Sequence, residues 1–189
     1  MEHAEGTSRT LVQLRQGIER CVAEGLPIPA LILLYTGIDA LSWLTAPADQ
    51  SVRESFTRWV DSYLLPDSAL ECTALELYAA RCGLLHTLTP DSRVGAKFGV
   101  RSIGYSYGQS DFDAISNAMK ALAPDQFVAV RVEELVSAFV EAVRRYLKRI
   151  AIDDVLFERF RERSSKHFTS VPEDLAPFLA EFGVRSRSD

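Results

Sequence analysis

Apolar residues recur every three or four positions along most of this chain, which is the spacing of one face of an α-helix. The segment 29–44 is apolar on nearly every side, as is typical of a helix at the centre of a core or covered by a partner. The fourth helix is predicted to begin at Asp67 or Ser68, because Ser68 and Glu71 have the spacing of a capping box. The pattern predicts helices over 7–24, 29–44, 51–65, 68–89, 111–122, 126–150 and 153–167, with a short last piece at 175–182.

The segment 91–110 lacks this pattern. Glycines interrupt it at four positions, Gly95, Gly99, Gly104 and Gly108, and they match neither a dinucleotide fingerprint nor a phosphate-binding loop. We therefore expect an all-α, antiparallel helical bundle with one glycine-rich loop or small hairpin inserted near 91–110. The expected bundle is a single domain over 1–183, followed by a disordered tail at 184–189.

The composition is that of an ordinary globular domain, with 47% hydrophobic and 25% charged residues in a chain of 189. The apolar run 30–34 is far shorter than a membrane span, so no membrane association is expected. The first residues are polar and acidic and do not resemble a secretory signal. These features favour a soluble, cytoplasmic protein.

Metal and cofactor sites are not expected. The cysteines are odd in number and stand in apolar helical contexts, so they are interpreted as buried free thiols: Cys21, Cys72 and Cys82. The histidines lie far apart in the sequence and match no zinc motif: His3, His86 and His167.

The net charge of −5 excludes a global positive field of the kind that attracts nucleic acid. Any RNA contact must therefore use a local patch. Residues 141–167 carry eight basic and five acidic side chains, which is consistent either with phosphate binding or with an ordinary solvated helix face. The RNA-binding candidates are Arg144, Arg145 and Lys148 in this stretch, and Arg93, Lys97 and Arg101 in or near the glycine-rich segment.

One short motif carries specific chemistry. The sequence Arg81-Cys82-Gly83-Leu84-Leu85-His86 ends the fourth predicted helix and follows the apolar helix 29–44. It resembles the motif of the HEPN superfamily, an Arg followed by four to six residues and a His. The resemblance implies a helical, metal-independent endoribonuclease that works as a homodimer with both motifs in one cleft. Such proteins often serve as toxins or antiviral-defence effectors, some beside an antitoxin or other partner protein.

The chemistry of the two residues supports that interpretation without the family. A histidine titrates near neutral pH, so His86 can act as a general base or acid. Arg81 can hold phosphate oxygens and stabilise the charge that develops on them. One imidazole cannot be base and acid at once, which favours a two-fold pair of sites. Five residues turn an α-helix by about 140°, so the two side chains are expected to converge only if the helix loosens at Gly83 or a partner supplies one of them.

The surrounding residues leave alternatives open. Cys82 stands where the family often has a polar residue, and Leu88 stands where one subgroup has a tyrosine. Asp39 and Tyr78 are supporting candidates: Asp39 because a carboxylate in an apolar helix needs a partner, Tyr78 because it lies one turn before the Arg. The Arg/His pair is also compatible with a structural role at a helix end. A non-catalytic HEPN-like module for RNA, nucleotide or dimer binding, or an unrelated helical scaffold, therefore remain alternatives.

Overall fold

Eight α-helices and two short strands form the described part of the chain, residues 2–90, 92–123 and 125–164 of a computed structural model. The elements are α1 (Glu2–Ala23), α2 (Pro27–Thr45), α3 (Val52–Trp59), α4 (Ala74–Thr87), α5 (Arg93–Phe98), β1 (Ser102–Ser106), α6 (Phe112–Leu122), β2 (Phe127–Arg131), α7 (Val132–Ile150) and α8 (Asp154–Ser164), and a π-helical turn (Val60–Leu64) continues α3. The mostly helical character predicted from periodicity is confirmed. The predicted helix at 175–182, the tail at 184–189 and the domain end at 183 lie outside the described residues.

Helix α2 is the centre of the core. It packs against α1, α3, α4, α7 and α8, which explains why it is apolar on nearly every side. At Gly37 a Cβ atom would come within 2.8 Å of both Leu14 and Phe139, so the absent side chain lets three helices approach closely. By length and composition alone, α2 is also apolar enough to cross a membrane, with a mean hydropathy of 1.5. The expectation that no segment approaches such a span was therefore wrong for α2.

The glycine-rich segment contains a short helix, α5, and a strand, so the expectation of a loop or hairpin without helix was wrong. Strand β1 pairs in parallel with β2, in a register that runs from Ser102 opposite Phe127 to Ser106 opposite Arg131, and α6 is the crossover between them. The predicted helix 126–150 was wrong over β2 and begins only at Val132. The alternation of buried Val128 and Val130 with less buried neighbours is a strand pattern that helical periodicity concealed.

Helix α4 begins later than predicted. Its capping box is formed by Thr73 and Glu76, and residues 68–73 are not helical. The Thr73 N–H donates to Oε2 of Glu76 at 2.7 Å, and the Glu76 N–H donates to Oγ1 of Thr73 at 3.2 Å. Glu76 has a second partner, since Arg101 donates to its Oε1 at 2.6 Å. This additional ion pair explains why the helix begins here rather than at the similar pattern around Ser68.

Candidate active site

Arg81 joins α4 to α2 through Asp39. Its Nε and Nη2 atoms lie 2.8 and 2.6 Å from the same carboxylate oxygen, Oδ2 of Asp39. The two side chains are only 16% and 21% exposed, so the pair is largely shielded from water. The partner that the sequence analysis expected for the Asp39 carboxylate is therefore Arg81, and the carboxylate holds that guanidinium in one orientation.

His86 contacts the other end of the same guanidinium. Nη1 of Arg81 lies 3.4 Å from Nε2 of His86, which is a long hydrogen bond. A guanidinium has only donors, so Nε2 of His86 is the acceptor wherever this hydrogen bond forms. His86 itself is exposed at the end of α4.

The expectation that the helix must loosen at Gly83 was wrong. Helix α4 is continuous from Ala74 to Thr87. Arg81 reaches His86 because its side chain is long enough to extend along the helix surface. The two groups therefore meet within one chain and need no partner for their contact.

Tyr78 and Cys82 complete the surroundings of Arg81. The Tyr78 ring centre is 6.0 Å from the Arg81 guanidinium carbon, and the ring packs edge-on against Phe56 at 5.3 Å. Burial raises the pKa of Tyr78, and the neighbouring Cys82 raises it further. Sγ of Cys82 is 3.9 Å from Nη1 of Arg81 and accepts a weak hydrogen bond from it. Tyr78 thus packs into the core and also contacts the site.

Burial and the neighbouring side chains shift the pKa of the Asp39 carboxylate in opposite directions. Burial raises its pKa, and the charges of Arg81 and His86 only partly offset that effect. Its second oxygen, Oδ1, is buried and has no hydrogen-bond partner within the described residues. A buried acceptor without a donor costs free energy, so Oδ1 makes this arrangement of Asp39 less stable.

The predicted RNA-binding residues are spread over several elements. Arg144 and Arg145 lie on α7 and are paired with Glu141 and Asp67, and Lys148 is exposed on the same helix. Arg93 and Lys97 lie on α5, which packs against α4, and they are exposed. Arg101 is engaged with Glu76 and with the carbonyl of Glu71. Arg101 therefore has a structural role at the start of α4.

A cavity beside Asp39 was not anticipated from the sequence. It measures about 120 Å³, and its polar and aromatic lining residues are Asp39, Ser42, Trp43, Gln50, Ser55 and Arg163. The guanidinium carbon of Arg163, on α8, lies 5.2 Å from the centre of the Trp43 ring. The available signal was the spacing of Asp39 and Trp43, which stand four residues apart and so share a helix face. Nothing local in the sequence connects Arg163 to them.

The three cysteines are free, but only Cys72 is buried, and Cys21 and Cys82 are partly exposed. Burial raises the pKa of the Cys72 thiol to about 12, which makes it an unreactive thiol. Within residues 2–90, 92–123 and 125–164, no three His, Cys, Asp or Glu side chains form a group that could hold a metal ion.

Comparison of the chain with protein-family models, with curated proteins and with solved structures gives no match. Proposals about function therefore depend on the motif and on the geometry around Arg81.

Proposed function

We propose that this chain is a metal-independent endoribonuclease of the HEPN type, in which Arg81 and His86 act on the RNA phosphate. The observation that carries the proposal is the chain of contacts from Asp39 through Arg81 to the exposed His86. Asp39 orients the guanidinium, and His86 places an imidazole nitrogen beside it. A cation and a proton acceptor side by side are what RNA cleavage without a metal requires.

The proposed reaction is an in-line attack by the ribose 2′-hydroxyl. His86 takes the 2′-OH proton as the 2′-oxygen bonds to phosphorus, and Nη1 of Arg81 exchanges its contacts with His86 and Cys82 for a phosphate oxygen. The bond from phosphorus to the 5′-oxygen then breaks, and that oxygen takes a proton from an acid. The products are a 2′,3′-cyclic phosphate and a 5′-hydroxyl.

The acid in this scheme is a second copy of His86. A single imidazole that has just accepted a proton from one oxygen is poorly placed to serve another oxygen on the opposite side of phosphorus, so a two-fold dimer supplies the second group. The homodimer, the RNA substrate, the cytoplasmic location and an antitoxin or other partner protein belong to this proposal, and the resemblance to the HEPN family supports them.

One observation favours the alternative of a non-catalytic RNA-binding, nucleotide-binding or dimerisation module. Arg81 is only 16% exposed, and two of its nitrogens are already held by Asp39. A guanidinium in that position has one end left for a phosphate. Binding without cleavage would support this alternative.

The test is cleavage of a labelled single-stranded RNA by the wild-type chain and by His86→Ala and Arg81→Lys. We expect His86→Ala to lower the rate by about 10²–10⁴, because proton transfer is lost. Arg81→Lys should recover little activity, because an ammonium lacks the planar fork. EDTA should not inhibit, and the products should end in a cyclic phosphate. Arg20→Ala, which removes an exposed cation from the last turn of α1, is the matched control and should cleave normally. Undiminished cleavage by His86→Ala would overturn the proposal.

A further inference from the structure

An apolar groove lies between α1, α7 and α8, and its described lining shares no residue with the proposed active site. It measures about 410 Å³. The apolar lining residues that the two long helices contribute are Leu11, Val12 and Leu14 from α1, and Val140, Val143 and Leu147 from α7. Sites that enclose a small molecule measure about 300–1,000 Å³, so the groove has room for several side chains.

Two of these apolar side chains are left in contact with water. Val12 is 47% exposed and Leu147 is 42% exposed, and both belong to the same groove. Single exposed apolar residues are common on protein surfaces, but apolar side chains that line one groove together mark a place where another apolar surface packs. On α7 the apolar row runs from Phe139 to Leu147, which is about 12 Å along the helix axis.

The sequence after α8 offers a segment that fits this groove. Its apolar residues have the spacing of one face of a helix: Leu175, Phe178, Leu179 and Phe182. Asp174 stands at the N-cap position and Gly183 at the stop, and Pro177 falls in the first turn, where proline is tolerated. The predicted helix 175–182 is about 12 Å long, so its apolar face matches the row on α7 in length.

Helix α8 brings the chain back to the groove. Phe160 lies in the groove lining, and the described part of the chain ends one helical turn later, at Ser164. Residues 165–174 then stand between α8 and the predicted helix, and a segment of that length can span up to about 33–36 Å. Since that reach exceeds the length of the apolar row, 175–182 can turn back and lie along it.

The charges of the groove and of the segment are opposite in sign. Both charged residues of the described lining, Arg15 and Arg144, are basic. Their partners, Glu19 and Glu141, are neighbours on the same helices, and such exposed pairs contribute little to stability. Residues 173–182 carry three acidic side chains and no basic one. This complementarity favours the segment as the occupant of the groove.

We propose that residues 175–182 form a short helix that packs its apolar face into the groove of its own chain. The helix covers Val12 and Leu147 and gives α1 and α7 a further apolar neighbour beside α8. Burial of several large apolar side chains supplies the favourable free energy of docking. The inference does not depend on the proposed function, because the groove contains neither Arg81 nor His86.

The test places a photoreactive side chain in the segment. In the full chain, Phe178 is replaced by p-benzoylphenylalanine, which keeps an aromatic ring at that position. We expect irradiation at low protein concentration to cross-link the chain to itself, so that the product keeps the mass of one chain, 21.0 kDa, on a denaturing gel. Peptide mapping should locate the cross-link within residues 11–15 of α1 or 139–147 of α7.

Two pairs of variants of this labelled chain make the result specific. Leu179→Glu places a charge on the apolar face and should remove most of the cross-link, whereas Ala180→Glu, on the opposite face of the predicted helix, should keep it. On the groove side, Val12→Glu should also remove most of it, and Gln13→Glu, which adds the same charge at an exposed position outside the lining, should keep it. Because Val12 is half-exposed, neither α1 variant should unfold the protein, and circular dichroism checks this.

Three cross-linking results would overturn the inference: no cross-link to α1 or α7, a cross-link that persists in Leu179→Glu or in Val12→Glu, or a main product with the mass of two chains. The last result would show that a second copy covers the groove. A dye that binds exposed apolar surface, anilinonaphthalene sulfonate, gives an independent measurement. It should bind Leu179→Glu more strongly than Ala180→Glu, because only the first substitution opens the groove, and equal binding would contradict docking.

Discussion

At the scale of single residues, the site depends on how Arg81 is held. In the structure the Arg81 side chain is 16% exposed and neutralises a carboxylate that is 21% exposed. Arg81 is thus part of the packing between α2 and α4 as well as the proposed phosphate ligand.

We therefore expect Arg81→Ala to destabilise the protein by about 1–3 kcal/mol, because Asp39 is left charged, largely buried and unpaired. The pKa of Asp39 is already raised by burial. Because the pKa of Asp39 is higher in the folded than in the unfolded state, the free energy of unfolding falls as pH rises through the folded-state pKa. The free energy of unfolding that Arg81→Ala removes should therefore be largest at pH 7 and smaller near pH 4. Urea unfolding at both pH values measures it.

The matched control is Arg144→Ala, which breaks an ion pair between side chains that are 65% and 54% exposed. Such surface pairs contribute little, so the loss should stay within about 1 kcal/mol. Equal losses of unfolding free energy in the two variants would show that the Arg81–Asp39 pair stabilises the protein no more than a surface ion pair does. The double variant Arg81→Ala with Asp39→Asn should recover part of the loss, since the uncompensated charge is gone.

At the scale of elements, α4 positions both proposed catalytic groups, and its first turn is secured by Glu76. That side chain caps the helix and is joined by Arg101, which comes from the segment before β1. The contact ties the start of α4 to the small parallel sheet.

We expect Glu76→Gln to cost about 2–3 kcal/mol at neutral pH, somewhat less than breaking a fully buried pair, because Arg101 is one-third exposed. Burial alone would raise the pKa of Glu76, but the hydrogen bonds from Arg101 and Thr73 outweigh it and lower the pKa. A lowered pKa stabilises the fold above the unfolded value of about 4.3, and that contribution is lost as pH falls further. The difference in melting temperature between wild type and Glu76→Gln should therefore become smaller below about pH 4.

Glu54→Gln is the control for this prediction, because Glu54 occupies the same capping-box position in α3 but is exposed. Its loss should be clearly smaller than that of Glu76→Gln. If the two variants have the same melting temperature, the ion pair with Arg101 adds no stability beyond that of the helix cap.

At the scale of the whole molecule, helices surround α2, and the proposed site lies where α2 and α4 reach the surface. The contact of Arg81 with His86 is complete within one chain, so a dimer is not needed to assemble the pair. It is needed in the proposed reaction, where base and acid are two copies of His86. Trp43 on α2 and Leu88 just after α4 have exposed apolar side chains.

We expect light scattering at micromolar concentration to give about twice the chain mass of 21.0 kDa. Cleavage per chain should then fall on dilution, in step with the loss of dimer measured under the same conditions. His86→Ala should leave the mass unchanged while it removes activity. A monomer that cleaves RNA at full rate would exclude the composite acid–base mechanism.

The sequence by itself determined the elements whose signals are local. Helical periodicity located α2 and the body of α7, Asp111 was correctly placed at the start of α6, and the predicted end of α4 lies two residues beyond its last residue, Thr87. Each of these features depends on residues within a few turns of one another, so the local order of residues is enough to predict it.

Only the tertiary structure decided the rest. Two similar capping patterns preceded α4, and the choice of Thr73 with Glu76 depended on Arg101, 25 residues away. Strand β2 became a strand because β1 pairs with it across α6. Asp39 meets Arg81 across 42 positions, and Arg163 meets Trp43 across 120. Contacts between residues so far apart leave no local periodicity, because the packing of whole helices, and not the spacing within one, brings them together.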